Sequence, residues 1–439
     1  MPTKIAVSRI LFALLLALPI LPSKAQEMER PRNLILMIAD GFGPASATMA
    51  RRVAGRPLAL DAILSGSVST WSTSSEVSDS AADATAFACG IKTYDGAIAV
   101  DTLRAPCRTI LEAAEERGMA TGLVATSRLT HATPASFASH VPSRRMEEEI
   151  AAQLINAEVE VLIGGGLGFF RPDGNDGQRE DGRDLLVEAG ASELAIVTDR
   201  EGFRELSVVP ALALLADSHM AYELDRDEAA EPSIAEMTQK ALDLLSGSED
   251  GRDNGFFLMV EGSRIDHAAH DNDPAGHLHD ILAYDAAIAV ALDFARKDGN
   301  TLVISTADHE TGGMALGRDG IYEWDPEYLN TVRASFDAMG ARVLAGEPVL
   351  DVVREGAAVD DLTQEETSSL EFALSTMDQN LFGVTLRDIV STRAGIGWTT
   401  DGHTAVDVGL YSFGPSSEWF QGHMENDEVG RRLFEALGL

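Results

Sequence analysis

Lysine is nearly missing from this sequence. Only Lys4, Lys24, Lys92, Lys240 and Lys297 occur, and all basic residues number 34 against 70 acidic ones, a formal net charge of −36. A polyanion would be repelled by such a chain, which argues against nucleic acid as a partner. The acidity fits exposure to high salt, and a GC-rich genome that replaces Lys with Arg leaves the same imprint. After the N-terminal segment no charge-free apolar run is long enough to span a bilayer. No internal repeat and no low-complexity segment occurs. Cysteine is scarce as well, with only Cys89 and Cys107. In an oxidising compartment the two would close a short loop. Cys89 also fits a buried free thiol in an apolar helix, and the sequence leaves both readings open.

The first 25 residues read as a signal peptide. Lys4 and Arg9 form a positive start, Ile10 to Leu21 is a short apolar run, and Ser23-Lys24-Ala25 is a small-x-small cleavage site. An uncleaved anchor is the alternative. No Cys follows at a lipoprotein position. The expectation is a periplasmic or secreted mature chain over 26–439, with no stable membrane span after cleavage. Apolar residues make up 45% of the sequence, enough for a substantial core.

Continuous apolar runs mark buried parallel strands at Leu34–Ala39, Gly122–Thr126, Val159–Ile163, Phe256–Val260 and Thr301–Thr306. Helical patterns lie between them, at Thr109–Arg117, Glu147–Asn156, Ser233–Leu245 and His279–Arg296. An alternating strand follows at Val406–Phe413. Gly164 to Gly168 reads as a structural turn, because the nucleotide-binding fingerprint is not matched. Strands alternating with helices predict an α/β fold, three-layer α/β/α, with a large, mainly parallel central sheet and helices on both faces. From about 321 to 397 the pattern is mostly helical and carries little visible chemistry, as an insertion would.

The chain is organised around Val77 to Ala86, where Asp79 and Ser80 stand directly before an Ala-rich helix. Either residue makes an ordinary N-cap. What points further is position: Asp40, Glu261 and Asp308-His309 each lie just past the end of an apolar strand, the edge where open α/β sheets bind ligands. In Glu261 to His270, Asp266 and His270 are at i and i+4 and share a helix face. Such a pair is usually an ordinary surface pair. With Asp308-His309 and His403 nearby in kind, mixed Asp/His donors suit Zn²⁺ better than Ca²⁺ or Mg²⁺.

Asp-Ser-Ala-Ala at 79–82, His-Ala-Thr-Pro at 131–134, Glu-Gly-x-x-Ile-Asp-His-x-x-His at 261–270, Ala-Asp-His at 307–309 and Gly-His-Thr at 402–404 occur in one order. In these the chain resembles the bacterial alkaline phosphatases, from about Asn33 to Phe413 outside the helical insertion. The resemblance implies a phosphomonoesterase in which Ser80 becomes phosphoserine. Asp40, Asp308 and His309 would hold the zinc that binds the Ser80 oxygen. Asp266, His270 and His403 would hold a second zinc, at the leaving group. Arg144 would grip two phosphate oxygens, oriented by Asp79. A third, magnesium-type site would use Asp40, Thr133 and Glu261. A homodimer is implied too, with phosphate starvation as the setting.

The chain departs from the family pattern at two places. His131 stands where many bacterial members have Asp, and His267 occupies a variable position next to the phosphate. Both bear on the third metal, expected to be Mg²⁺ held weakly. Arg145 beside Arg144 leaves the clamp ambiguous, with Arg144 favoured by alignment. His140, His277 and His423 read as structural or surface residues, and Asp83, Glu310 and Asp271 as solvated or supporting charges. The competing readings are a phosphodiesterase or sulfatase of the same superfamily, a secreted protein with a structural metal, and a serine hydrolase. A sulfatase needs a Cys-x-Pro-x-Arg-like context, and a serine hydrolase a Gly-x-Ser-x-Gly elbow. Ser80 has neither.

Overall fold

The computed structural model describes Met1 and residues 30–439, apart from 175, 191–193 and 377–378. The expected signal peptide, 1–25, falls almost wholly outside the described residues.

A ten-stranded sheet forms the centre. Across it run Gly422–Glu425, Leu64–Ser69, Val408–Phe413, Thr301–Thr306, Asn33–Ile38, Phe256–Glu261, Ala120–Arg128, Val161–Gly165, Ala211–Leu214 and Ala195–Val197. Only Val408–Phe413 runs antiparallel to its two neighbours; the other pairings are parallel. Every residue of Asn33–Ile38 is buried, so helices cover both faces, as a continuous apolar run requires. Leu34, Ile35, Leu36, Met37 and Ile38 are fully enclosed. Each such side chain stabilises the fold by about 1.5–3 kcal/mol relative to exposure. The expected α/β architecture is the observed one.

Register sets the level of the site. Ile38 pairs with Glu261 on one side and Thr306 on the other, and Ala125 pairs with Glu261. The strands therefore end side by side, and the residues just beyond them converge.

Several expected bounds move. The strand after Glu147–Leu154 runs through Gly165, where a turn was expected, and the chain turns at Gly166 with φ 102. A Cβ on Gly165 would meet the Ser218 carbonyl oxygen at 2.1 Å, so the glycine is there for close packing and not for turning. The helix expected over Thr109–Arg117 is Ile110–Glu115, capped by the Thr109 hydroxyl. The Leu64–Ser69 strand gave no apolar run, because its sequence is LSGSVS and only Val68 is buried. The long helix Pro274–Asp298 starts where Asp273 accepts from Ala275 N and Gly276 N, both at 3.0 Å, and stops at Gly299 in the left-handed region.

The helices Pro326–Leu329, Phe336–Leu344, Val349–Gly356, Gln364–Thr376 and Gln379–Ala394 lie between two short paired strands, Ala315–Leu316 and Ile396–Gly397. They enclose an apolar cluster of their own, with Met339, Val352, Val353, Leu386 and Val390 at its middle. Cys89 and Cys107 form a disulfide across Cα atoms 6.0 Å apart. Among the described residues no helix is long and apolar enough to cross a membrane.

Candidate metal centre and anion site

Ser80 is the first residue of the helix Ser80–Cys89, and Asp79 is its N-cap. Asp79 Oδ1 accepts from Ala82 N and from Gly96 N, each at 3.0 Å. The ordinary capping role is thus real, and it leaves the other oxygen free for more. Asp79 Oδ2 accepts from Arg144 Nη1 at 3.0 Å, and Arg144 Nη2 donates to His131 Nε2 at 3.0 Å. Held at both ends, the guanidinium keeps two N–H groups between them for an anion. Arg145 is exposed and makes no such contact.

Asp40, Glu261, Asp308 and His309 are completely buried at the strand ends. His309 Nε2 lies 3.2 Å from Ser80 Oγ, 3.4 Å from Asp308 Oδ2 and 3.7 Å from Asp40 Oδ1. Asp266 lies in the turn-like helix Arg264–His270, as the i, i+4 spacing required. Its carboxylate is 3.3 Å from His270 Nε2 and 3.8 Å from His403 Nε2, and those two nitrogens are 3.1 Å apart.

Three sets of donors lie close enough to share a cation: Asp40 with Asp308 and His309, Asp266 with His309 and His403, and Asp40 with His131 and Glu261. Burial, with the neighbouring Asp308, Asp266 and Glu261 charges adding, pushes the Asp40 carboxyl well above its usual range. Burial likewise pushes Glu261 up to about 7 and Asp308 up to about 6. So many carboxylates cannot all be charged together without a counter-ion. Both Asp40 oxygens, Asp308 Oδ2, Glu261 Oε1 and Thr133 Oγ1 are buried with no hydrogen-bond partner among the described residues. Orphaned oxygens in such number are what a bound cation would satisfy.

The histidine tautomers sharpen the fit. His270 Nδ1 donates to the Asp401 carbonyl at 2.6 Å, and His403 Nδ1 to the Ser78 carbonyl at 2.7 Å. His309 Nδ1 lies 3.3 Å from the Thr311 hydroxyl, which itself donates to Asp266 Oδ1 at 2.6 Å. Each Nδ1 therefore carries the proton, and each Nε2 turns a lone pair to the centre, the arrangement metal-binding imidazoles adopt. His131 is set the other way. Its Nε2 must accept from Arg144, because arginine only donates, and Nδ1 is a buried donor without a partner among the described residues. Burial and the Arg144 charge push its ring well below the ordinary value, which keeps it neutral.

His267 joins none of these sets. Its Nδ1 accepts from Arg264 Nη1 at 2.9 Å, and its ring stands 5.4 Å from that of His131 and 4.3 Å from His219. Sequence reasoning missed His219, Arg128 and Arg264, which pair with these rings; Arg264 sits inside the 261–270 motif at i, i+3 from His267, a spacing that could have found it, whereas nothing in the motifs points to His219. It also missed Thr311, which orients His309. His140 bonds to Glu112 and the Ala99 carbonyl, His277 to Ser46 and the Ile265 carbonyl, and His423 to Ser67 at the surface. Glu310 accepts from Thr404, and Asp271 from Tyr222 at 3.4 Å. Asp83 is not solvated: it is fully buried between Ser78 and Asn426.

A hydroxyl at a helix start, an arginine fork and cation-binding groups on one sheet edge narrow the class to metal-dependent hydrolases of anionic esters. Comparison with known proteins narrows it further. Residues 31–439 match the family model for alkaline phosphatase. The chain is 39% identical to a repressible alkaline phosphatase of Saccharomyces cerevisiae, over 100% of this chain and 87% of that one. It is 38% identical to alkaline phosphatase 3 of Bacillus subtilis, over 94% and 90%. Among solved structures, a cold-active alkaline phosphatase from a psychrophilic Shewanella superposes with a TM-score of 0.84 at 34% identity, covering 92% of this chain and 99% of that one. The chain belongs to the alkaline phosphatase family, and it is an enzyme of that metal-dependent kind.

Proposed function

We propose that the chain hydrolyses phosphate monoesters through a phosphoserine on Ser80. The observation that carries this reading is that Ser80 Oγ lies 3.2 Å from His309 Nε2, at the meeting point of the Arg144 fork and the buried carboxylates. The donor sets fit two zinc ions and one magnesium-type ion. Asp40, Asp308 and His309, with Ser80, would hold the first zinc. Asp266, His270 and His403 would hold the second. Asp40, Thr133 and Glu261 would hold the third ion, with His131 alongside. When bound, these ions supply Lewis acidity and activate hydroxyl and water oxygens near neutral pH.

Ser80 gives up its hydroxyl proton as Oγ forms its bond to phosphorus and the bond to the leaving oxygen breaks, and the departing alkoxide takes up a proton, which balances the one lost. Water then attacks phosphorus, the Ser80 Oγ–phosphorus bond breaks as Oγ recovers a proton from that water, and inorganic phosphate leaves with the Ser80 hydroxyl restored. Arg144 grips two non-bridging oxygens throughout, with Asp79 and His131 fixing its two ends. Each charge-assisted bond it makes is worth about 1.5–3 kcal/mol. A diester offers fewer free oxygens to that fork, which favours monoesters. His309 is at base distance from Ser80, yet among the described residues no carboxylate touches its Nδ1 and two carboxylates crowd its Nε2. That pattern supports a cation at Nε2 over a serine-hydrolase dyad.

The disulfide and the N-terminal pattern support a periplasmic or secreted enzyme. A homodimer and phosphate starvation rest on the family likeness alone. The test is turnover of an aryl phosphate, a diester and an aryl sulfate side by side, with and without chelator. The monoester alone should turn over well, lose activity with chelator and regain it with Zn²⁺. Preferred turnover of diester or sulfate, or full activity after chelation, would overturn the reading.

A further inference from the structure

Asp83 is a buried carboxyl that the reaction above does not use. It lies in the first turn of the helix Ser80–Cys89, fully enclosed, with Ser78 and Asn426 buried beside it. Its Oδ1 accepts from Asn426 Nδ2 at 2.6 Å. That amide cannot be turned round, because Asn426 Oδ1 already accepts from Asp427 N at 2.8 Å. Asp83 Oδ2 meets Ser78 Oγ, which also meets the Thr70 carbonyl. Thr70 and Asn426 follow directly on Leu64–Ser69 and Gly422–Glu425, which pair with Ser69 opposite Glu425. The edge of the sheet thus anchors the Asp83–Ser78 pair at both ends.

Counting hydrogens assigns the donors. Ser78 has one hydroxyl hydrogen and two oxygen neighbours, and the Thr70 carbonyl can only accept. With that hydrogen on Thr70, Oγ turns a lone pair to Asp83 Oδ2, and the hydrogen between them comes from the carboxyl. The partners of Asp83 are a hydroxyl and an amide, neither of them cationic. Burial pushes its carboxyl well above the usual range, with the Asp308 and Asp79 charges adding.

What the pair holds is Ser78. The Ser78 carbonyl takes the His403 Nδ1 proton at 2.7 Å, and His403 Nε2 is left facing Asp266 at 3.8 Å. Two residues on stands Ser80, with Oγ 3.2 Å from His309 Nε2. Groups that orient a metal-binding imidazole govern metal affinity almost as the ligands do. We propose that Asp83 is a positioning residue: as a neutral acid it donates to Ser78 Oγ, and this clamp fixes both the carbonyl that orients His403 and the approach to Ser80. The proposal rests on the phosphomonoesterase reading above, in which His403 helps to hold the second zinc.

The test loads the natural enzyme, Asp83→Asn and Asp83→Ala with Zn²⁺ and measures the zinc retained against a graded chelator, with melting curves and infrared spectra. Asp83→Asn keeps an N–H for Ser78 and an oxygen for Asn426, so it should hold zinc as the natural enzyme does. Asp83→Ala should lose one of its zinc ions about tenfold more readily, the usual cost of removing a group that orients a ligand. The infrared difference between the natural enzyme and Asp83→Asn at neutral pH should show the carbonyl band of a protonated carboxyl. If Asp83→Ala does not fold, Ser78→Ala, which removes only the hydroxyl, carries the same expectation. A carboxylate band instead, or zinc loss in Asp83→Asn equal to that in Asp83→Ala, overturns the neutral clamp. A lower Tm with unchanged zinc retention overturns the positioning role. A natural enzyme that holds zinc but hydrolyses no phosphate monoester fails the functional reading, and zinc retention in the variants still decides the clamp.

Discussion

Asp79 carries two tasks on two different oxygens, and they can be separated by substitution. Oδ1 accepts from Ala82 N and Gly96 N, whereas Oδ2 faces Arg144 Nη1. Asp79→Asn keeps an oxygen for the two backbone donors and turns an amide N–H against the guanidinium, donor against donor. The Asp79–Arg144 pair is partly exposed, with side chains 20% and 27% accessible, so its loss should cost folding stability only about 0–1 kcal/mol. Phosphate binding should suffer more, because Arg144 is then held only through His131. Losing the equivalent of one charged hydrogen bond, about 1.5–3 kcal/mol, weakens inhibition by inorganic phosphate about tenfold or more. Asp79→Ala removes the helix cap as well, about 1 kcal/mol, and strands the Gly96 N–H, about 1–3 kcal/mol. It should lose roughly 2–4 kcal/mol of stability on top of the same binding defect. Urea unfolding, extrapolated linearly, and phosphate inhibition measured on both variants decide the matter. Unchanged phosphate inhibition in Asp79→Asn, or equal destabilisation of the two variants, would refute the division of labour.

Other outcomes follow from the same contacts. Asp280 is 7% exposed and accepts from Glu223 N at 3.2 Å, and burial pushes its carboxyl up to about 8. The folded chain therefore holds a proton that the unfolded chain releases near pH 4. Stability is greatest below that value and is lost as pH rises towards about 8, so Asp280→Asn should narrow the difference in Tm between pH 5 and pH 9. An unchanged difference would contradict the assignment. His131→Asp replaces a neutral ring beside Asp40 and Glu261 with a carboxylate and should tighten Mg²⁺ binding, read by metal analysis and Mg²⁺ titration after dialysis. Full Mg²⁺ retention in the natural protein, with no change on substitution, would count against it. Chelation should lower Tm, since a cation present at a thousand times its Kd contributes about 4 kcal/mol per site; an unmoved Tm would mean that the buried carboxylates hold no ion.

The chemistry of this chain was more legible than its outline. Asp40, Glu261 and Asp308 announce themselves because each ends a continuous apolar run, and parallel strands of equal register place such ends together. The i, i+4 spacing of Asp266 and His270 needed only a helix. The edge strand Gly422–Glu425 and its neighbour Leu64–Ser69 were invisible, because short, polar, only partly buried segments have no apolar periodicity to read. Gly165 misled because a glycine that lets backbones approach looks, in sequence, like a glycine that turns. The Arg144–His131 and Arg128–His219 contacts join separate segments, whereas Thr311 beside His309 and Arg264 beside His267 are local neighbours whose side-chain directions no sequence pattern specifies. His131 shows the limit most plainly. Its substitution for a carboxylate could be seen, while the tautomer that Arg144 imposes on it could not.

The central claim is that Ser80 is the residue that takes the phosphoryl group. The most direct measurement incubates the metal-loaded enzyme with ³²P-labelled substrate or inorganic phosphate, quenches in acid and maps the labelled peptide by mass spectrometry. The account predicts label on Ser80 alone, in the segment beginning Asp79-Ser80-Ala81-Ala82, and none in Ser80→Ala. Label on another residue, or label that survives in Ser80→Ala, would contradict it.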